Sequence, residues 1–277
     1  MVTMNKLTNA KRSAVVRALV EGCSVRATVR LTSASKNTIA KLLVELGEAC
    51  SAYQDTTIRG IKSQRIQCDE IWSFVGAKEK NAVPEKKAQG WGEVWTWTAL
   101  DADTKLMITF SPGDRTLTTA SGFMNDVAGR LANHVQLTTD GHRPYLTAVE
   151  DAFGGDIDYA MLVKLYGSSG EGETRYSPAK CLGAIPHEVT GNPDPKHIST
   201  SFVERQNLTM RMSMRRFTRL TNAFSKKLEN HAAMLAAYFR YYNFGRVHQT
   251  LRVTPAMEAG IADHVWSIEE IVALLER

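Results

Sequence analysis

A chain of 277 residues, 43% hydrophobic and 23% charged, can bury a sizeable core in one large domain or two ordinary ones, which sets disordered and fibrous chains aside. The net charge of +5 is unevenly placed: residues 1–65 hold eleven Lys/Arg against Glu21, Glu45, Glu48 and Asp55, and residues 198–252 hold ten against Glu204 and Glu229. Two basic regions around a neutral middle point to a polyanionic partner touched at two places, with a solvated charged surface as the plain alternative.

Cys23, Cys50, Cys68 and Cys181 show no CxxC pairing, so neither a zinc knuckle nor a disulfide framework is indicated. Lys11, Arg12 and Arg17 interrupt any signal-peptide core, and the longest apolar run, Ala232 to Phe239, is too short for a bilayer. The expectation is a reducing, cytoplasmic compartment.

In chain order, Thr8 is placed to cap a first helix with Ala14, Val15, Ala18 and Leu19 on its apolar stripe. Ser24 caps a short second helix through Leu31, and Ser35 a third whose Ile39, Leu42, Leu43 and Leu46 face inward. Residues 1–50 therefore read as a helix-turn-helix domain. Lys36, Asn37, Thr38 and Lys41, at the start and outer face of the third helix, are its candidate DNA contacts. Residues 51–64 read as a polar linker.

Arg65 to Gly76 is a mostly apolar strand with Asp69 and Glu70 in its middle. An unpaired buried charge costs several kcal/mol, so an acid pair there implies either an exposed edge or a positive partner. Alternation puts Asp69 with Gln67 and Ser73 and Glu70 with Cys68, Trp72 and Phe74, so only one of the two is expected in a given site. Asp69 is assigned that place and Glu70 a neighbouring or ion-pairing one. A loop over 77–92 follows. Then come strands Glu93–Leu100 and Lys105–Ser111 with turn acids Asp101 and Asp103, a helix over 116–131, and a strand from Val135 ending in Asp140-Gly141. Pro144 opens a helix to Phe153, and Ile157–Leu165 is the next strand.

Residues 167–197, rich in glycine and proline, read as a long irregular insertion. A basic helix opens at Ser201, with Arg205 and then Arg211, Arg215 and Arg219 at four-residue spacing as candidate phosphate contacts. A further helix spans 225–242, a Thr254-Pro255 turn follows, and 263–277 holds a C-terminal helix.

Asp69 in mid-strand, Asp140 at a strand end and Glu204 in a first helical turn can converge if the two strands are neighbours and the helix packs on them. Three converging acids repel unless cations join them. Magnesium, hard and oxygen-seeking, suits such a set, and two ions suit phosphodiester displacement. Each acid also has a structural reading: an edge-strand pair, a turn, and a Ser201-x-x-Glu204 capping box.

The blocks Asp69-Glu70-Ile71-Trp72-Ser73-Phe74-Val75-Gly76, Thr138-Thr139-Asp140-Gly141 and Phe202-Val203-Glu204-Arg205-Gln206-Asn207 resemble the DDE transposases of bacterial insertion sequences. Tyr241-Tyr242-Asn243-Phe244, Arg246-Val247-His248 and Thr254-Pro255-Ala256-Met257 resemble the tail of such proteins. The resemblance implies an α/β, RNase H-like mixed sheet flanked by helices over 65–262, preceded by the all-α helix-turn-helix domain. It implies Asp69, Asp140 and Glu204 as catalytic, metal-binding residues for two Mg²⁺ ions, with Mn²⁺ as substitute. It further implies cleavage of double-stranded DNA at element ends, strand transfer by the freed 3′-hydroxyl, a homo-oligomer on DNA and a nucleoid location. His142 and His248 are possible helpers at the phosphate. The alternatives are a helix-turn-helix regulator with an inactive oligomerisation domain and an RNase H-like nuclease without strand transfer.

Overall fold

A computed structural model describes residues 7–167, 180–218 and 222–276. Three helices come first: α1 (Asn9–Val20), α2 (Val25–Thr32) and α3 (Lys36–Thr57). Each has the hydroxyl cap its sequence offers, with Thr8, Ser24 and Ser35 side chains accepting from the amides of Lys11, Ala27 and Thr38. Helix α3 runs past residue 50, so residues 51–57, read as linker, are helical.

Strand β1 (Arg65–Val75) leads through a 3₁₀ turn and the short α4 (Pro84–Lys87) to β2 (Gly92–Asp101) and β3 (Met107–Gly113). Asp101 makes the hairpin turn, its carboxylate accepting from the amides of Asp103 and Thr104 at 2.8 and 3.0 Å. Next come α5 (Leu117–Ala128), β4 (Gln136–Asp140), α6 (Pro144–Phe153), β5 (Asp158–Gly167) and β6 (Lys180–Thr190). The chain ends through α7 (Ser201–Ser213), α8 (Leu228–Arg240), a π-type turn, the short α9 (Pro255–Glu258) and α10 (Ile268–Ala273). Among the described residues, no helix is long and apolar enough to cross a membrane.

The six strands form one mixed sheet in the order β3-β2-β1-β4-β5-β6. Strand β1 is antiparallel to β2 and parallel to β4, β4 is parallel to β5, and β5 is antiparallel to β6. Helices cover both faces, an arrangement consistent with an RNase H-like fold. One correction concerns 167–197. That stretch is not irregular throughout, because β6 pairs with β5, Ile185 opposite Val163. Pro186 and Gly183 concealed it, yet an edge strand tolerates proline on its unpaired side. Residues 168–179 lie outside the described residues.

The sheet separates two apolar clusters. Ile66, Cys68, Trp97 and Leu137 pack against α5 and α6. On the other face Ile71, Leu100 and Met107 join one cluster that includes α1, α3, α7, α8 and α10. The three N-terminal helices thus share a core with the C-terminal ones. The helices meet closely at Gly47 of α3, where an added Cβ would lie 2.4 Å from Ala233 Cα on α8. Alanine should gain about 1 kcal/mol in helix propensity, but the clash is with backbone and cannot relax by a rotamer change. Gly47→Ala is therefore expected to destabilise by a net ~1–3 kcal/mol, read from a urea midpoint; a neutral or stabilising result would show that the helices can part.

Candidate metal centre

The parallel pairing of β1 with β4 ends at Cys68 opposite Thr139, so Asp69 and Asp140 are the next residues in register. Both stand on the sheet face that α7 covers. That helix is tied to β1 at its start, where the amides of Phe202 and Val203 donate to Gln67 Oε1 at 2.9 and 3.1 Å. One turn on, Asn207 Nδ2 donates to Asp69 Oδ2 at 2.8 Å, while Asp69 Oδ1 accepts from the Glu70 amide at 2.9 Å. Asp140 Oδ1 accepts from the His142 amide at 3.0 Å.

Glu70 starts from the opposite face yet reaches the same place. Ligand oxygens of Asp69, Glu70 and Asp140 lie within 4.8 Å of one another. This corrects the expectation that only one of the acid pair enters the site. Alternation separates neighbours only where the sheet continues, and β4 stops at Asp140, leaving its end open for Glu70 to reach past. The Glu70 side chain is wholly buried, with Oε2 accepting from Arg115 Nε at 3.0 Å and Nη2 at 2.9 Å. The same guanidinium stands 3.4 Å from Asp140 Oδ2 and lies over the Trp95 ring at 4.7 Å.

Glu204 is not one of the three acids whose oxygens meet within 4.8 Å. It lies beside the cluster rather than in it, its carboxylate accepting from Lys164 of β5 and from the Thr200 hydroxyl. The capping box is not formed, since Thr200 takes the cap position and makes no side-chain cap bond. Glu204 is still close enough for its charge to act on Asp69.

Burial first, then the Asp140 charge, push Asp69 up to about 7, with Glu204 adding to the rise and Lys164 opposing it. Burial and Asp140 push Glu70 up to about 8, while the Tyr145 hydroxyl alongside and Arg115 pull it back. Glu70 Oε1 is buried without a hydrogen bond of acceptable geometry. Four carboxylates thus face Arg115 and Lys164, and one buried oxygen is left with spare acceptor capacity. A hard divalent cation held by carboxylate oxygens fits this donor set.

Some side chains around the carboxylates carried no readable signal. Arg115 sits in the Gly113-Asp114-Arg115 turn, an ordinary place for an arginine. Lys164 could have been suspected, because it interrupts the apolar run Met161-Leu162-Val163-Lys164-Leu165. His142 packs its ring beside Trp97 and Tyr145, at 5.7 and 6.0 Å, and burial lowers its pKa. His248 bonds Thr250 at 3.0 Å and is not part of the acidic cluster.

Of the candidate DNA contacts, Lys36, Asn37 and Lys41 are exposed, while the Thr38 hydroxyl is taken up by Ser35 at 2.8 Å. Arg205 and Arg215 are exposed. The expected stripe of Arg211, Arg215 and Arg219 does not form, because α7 ends at Ser213 and Met214 turns to extended backbone. Burial of Met214 and Phe217 drives the turn, and Arg211 folds back to donate to the Phe217 carbonyl at 3.2 Å. Arg219 lies outside the described residues.

No protein-family model matches the chain, and no curated protein matches its sequence. Among solved structures the chain is similar to the cryo-EM structure of the piggyBac transposase synaptic complex with hairpin DNA. That similarity has a TM-score of 0.43 and 11% identity, over 99% of this chain and 73% of that one.

Proposed function

We propose that the protein is a DNA transposase of the DDE type that cuts double-stranded DNA at the ends of an insertion sequence and joins the freed 3′-hydroxyl to target DNA. The observation that carries this reading is the meeting of Asp69, Glu70 and Asp140 oxygens within 4.8 Å at the end of a parallel strand pair. In this reading Asp69 and Asp140 hold Mg²⁺ or Mn²⁺, and Glu204 completes the set from α7. When bound, such ions activate the attacking oxygen and stabilise the leaving one in phosphodiester displacement.

The chain's own residues prepare that chemistry. Asn207 and the Glu70 amide fix the two oxygens of Asp69, and the His142 amide fixes one of Asp140. Arg115 and Lys164 hold the carboxylates together as counter-charges and stand ready to meet phosphate oxygens. Helices 1–50 read the element end through Lys36, Asn37, Thr38 and Lys41, and Arg205, Arg211, Arg215 and Arg219 serve the backbone, on a homo-oligomer.

The test is incubation with a DNA fragment bearing the flanking inverted repeats, with and without Mg²⁺. Metal-dependent cuts at the repeat ends, abolished by Asp140→Asn and strongly reduced by Glu204→Gln, are expected. Pre-cleaved ends should then be joined to a plasmid target. Cleavage without joining would reduce the protein to a nuclease, and binding without cleavage in any divalent ion would leave a regulator.

A further inference from the structure

The carboxyl end of β1 opens into a lysine-rich segment that the carboxylate site does not use. Between Gly76 and β2 lie Lys78, Lys80, Lys86 and Lys87, of which Lys78, Lys80 and Lys87 are exposed. Two other basic segments are brought to the same end of the molecule. Ser225 bridges to Val75, its carbonyl accepting the Gly76 amide at 2.8 Å, and the Phe224 ring lies 4.6 Å from that of Phe74. These contacts anchor the exposed Lys226 and Lys227 beside the strand end, with the Lys226 ammonium 3.5 Å over Phe224. Gly90 closes the lysine-rich segment against the first residue of α8, since a Cβ there would stand 3.8 Å from Leu228 Cβ.

Helix α3 supplies the third segment. It runs in the same sense as α8, with Gly47 against Ala233 and Gln54 Nε2 donating to the Ala236 carbonyl at 3.4 Å. Both helix starts therefore point to this end, and the pKa of Lys226 is lowered by burial first and then by the charge of Lys36. Across these three segments seven lysines face Glu79, Glu85 and Glu229. Lys87 is paired with Glu79 and Lys86 bonds Gln89 at 3.1 Å, but the remaining like charges gathered from distant parts of the chain repel one another, and a polyanion gains from the gathering. Lysine, a flexible point charge, suits phosphate contacts rather than base readout.

We propose that this lysine face, continuous with the start of α3, is a binding surface for the phosphate backbone of duplex DNA. The proposal rests on the DNA-acting reading above and adds a place and a distance to it. Six residue steps along β1 separate Asp69 from Val75, about 20 Å at ~3.3 Å per residue. The phosphates held there lie about six base pairs from the carboxylates at ~3.4 Å per step.

The experiment measures affinity for a fluorescein-labelled duplex by anisotropy, without divalent ions, from ~50 to ~200 mM salt. The variants are Lys80→Ala alone and Lys80→Ala with Lys226→Ala and Lys227→Ala, checked for an unchanged melting temperature. The slope of log affinity against log salt is expected to fall by about 1 for the single variant and about 2–3 for the triple one, whatever the duplex sequence. The triple Lys→Arg variant should keep the parent slope. Asp140→Asn should also keep it while losing cleavage. An unchanged slope in the triple Ala variant, with the parent protein binding and cutting DNA, overturns the lysine face and leaves the function standing. A parent protein that binds no duplex overturns both.

Discussion

Freed of divalent ions at about pH 8, Asp69→Asn is expected to melt several degrees above the parent protein, yet to lose at least ~10³-fold in metal-dependent cleavage, or about 4 kcal/mol of transition-state stabilisation. The two effects have one cause. Asp69 is raised to about 7 and Glu70 to about 8 in the folded protein, whereas both ionise near 4 in an unfolded chain. Between those values the folded state holds protons that the unfolded state has released. The stability this contributes is fully present below the unfolded value and is lost as pH rises through the folded one. Asparagine removes one of the charges responsible and keeps one oxygen for the Asn207 amide, at the cost of the bond from the Glu70 amide. The pH-dependent loss between about pH 5 and pH 8 should shrink accordingly, and the stabilisation by Mg²⁺, large at pH 8 and small at pH 5 in the parent, should fall. Scanning fluorimetry across pH, with and without Mg²⁺, reads both. A variant that melts lower than the parent at every pH would show that the Asp69 charge is already compensated.

Arg115→Met is expected to act in the opposite direction. The Glu70 side chain is wholly buried against this guanidinium, and removing one partner of a buried pair costs about 3–5 kcal/mol. For a chain of this size that corresponds to roughly 10 °C in melting temperature. The loss should be greatest in metal-free protein at pH 8 and above, where Glu70 gives up its proton in the parent. It should be much smaller near pH 5, where Glu70 carries its proton, and Mg²⁺ should restore part of it. An equal loss at both pH values would mean that Arg115 contributes mainly its packing over Trp95.

The order of strands and helices through β5 was legible because each element has a clean period and a hydroxyl, glycine or proline at its end. Asp69 and Asp140 could be paired from sequence because neighbouring parallel strands bring their ends together. Glu70 could not, since the alternation of a strand says nothing about where its neighbour stops. The position of Glu204 depends on Lys164, three-dimensional information that no spacing contains. Strand β6 was hidden because proline and glycine signal loops wherever a strand has partners on both sides, and β6 has a partner on one. The arginine spacing after Ser201 suggested a longer helix than the apolar Met214 and Phe217 allow.

The close approach of Gly47 to Ala233 fixes α3 against α8. With no room between α3 and α8 and one continuous core beneath them, the start of α3 cannot swivel relative to β1. On the proposed function, a duplex gripped there would be presented to the carboxylates at a single offset, and the molecule would work as a ruler rather than a tether. The distance from recognised sequence to cut should then be invariant, and spacer insertions of even one base pair should move the cut instead of being absorbed.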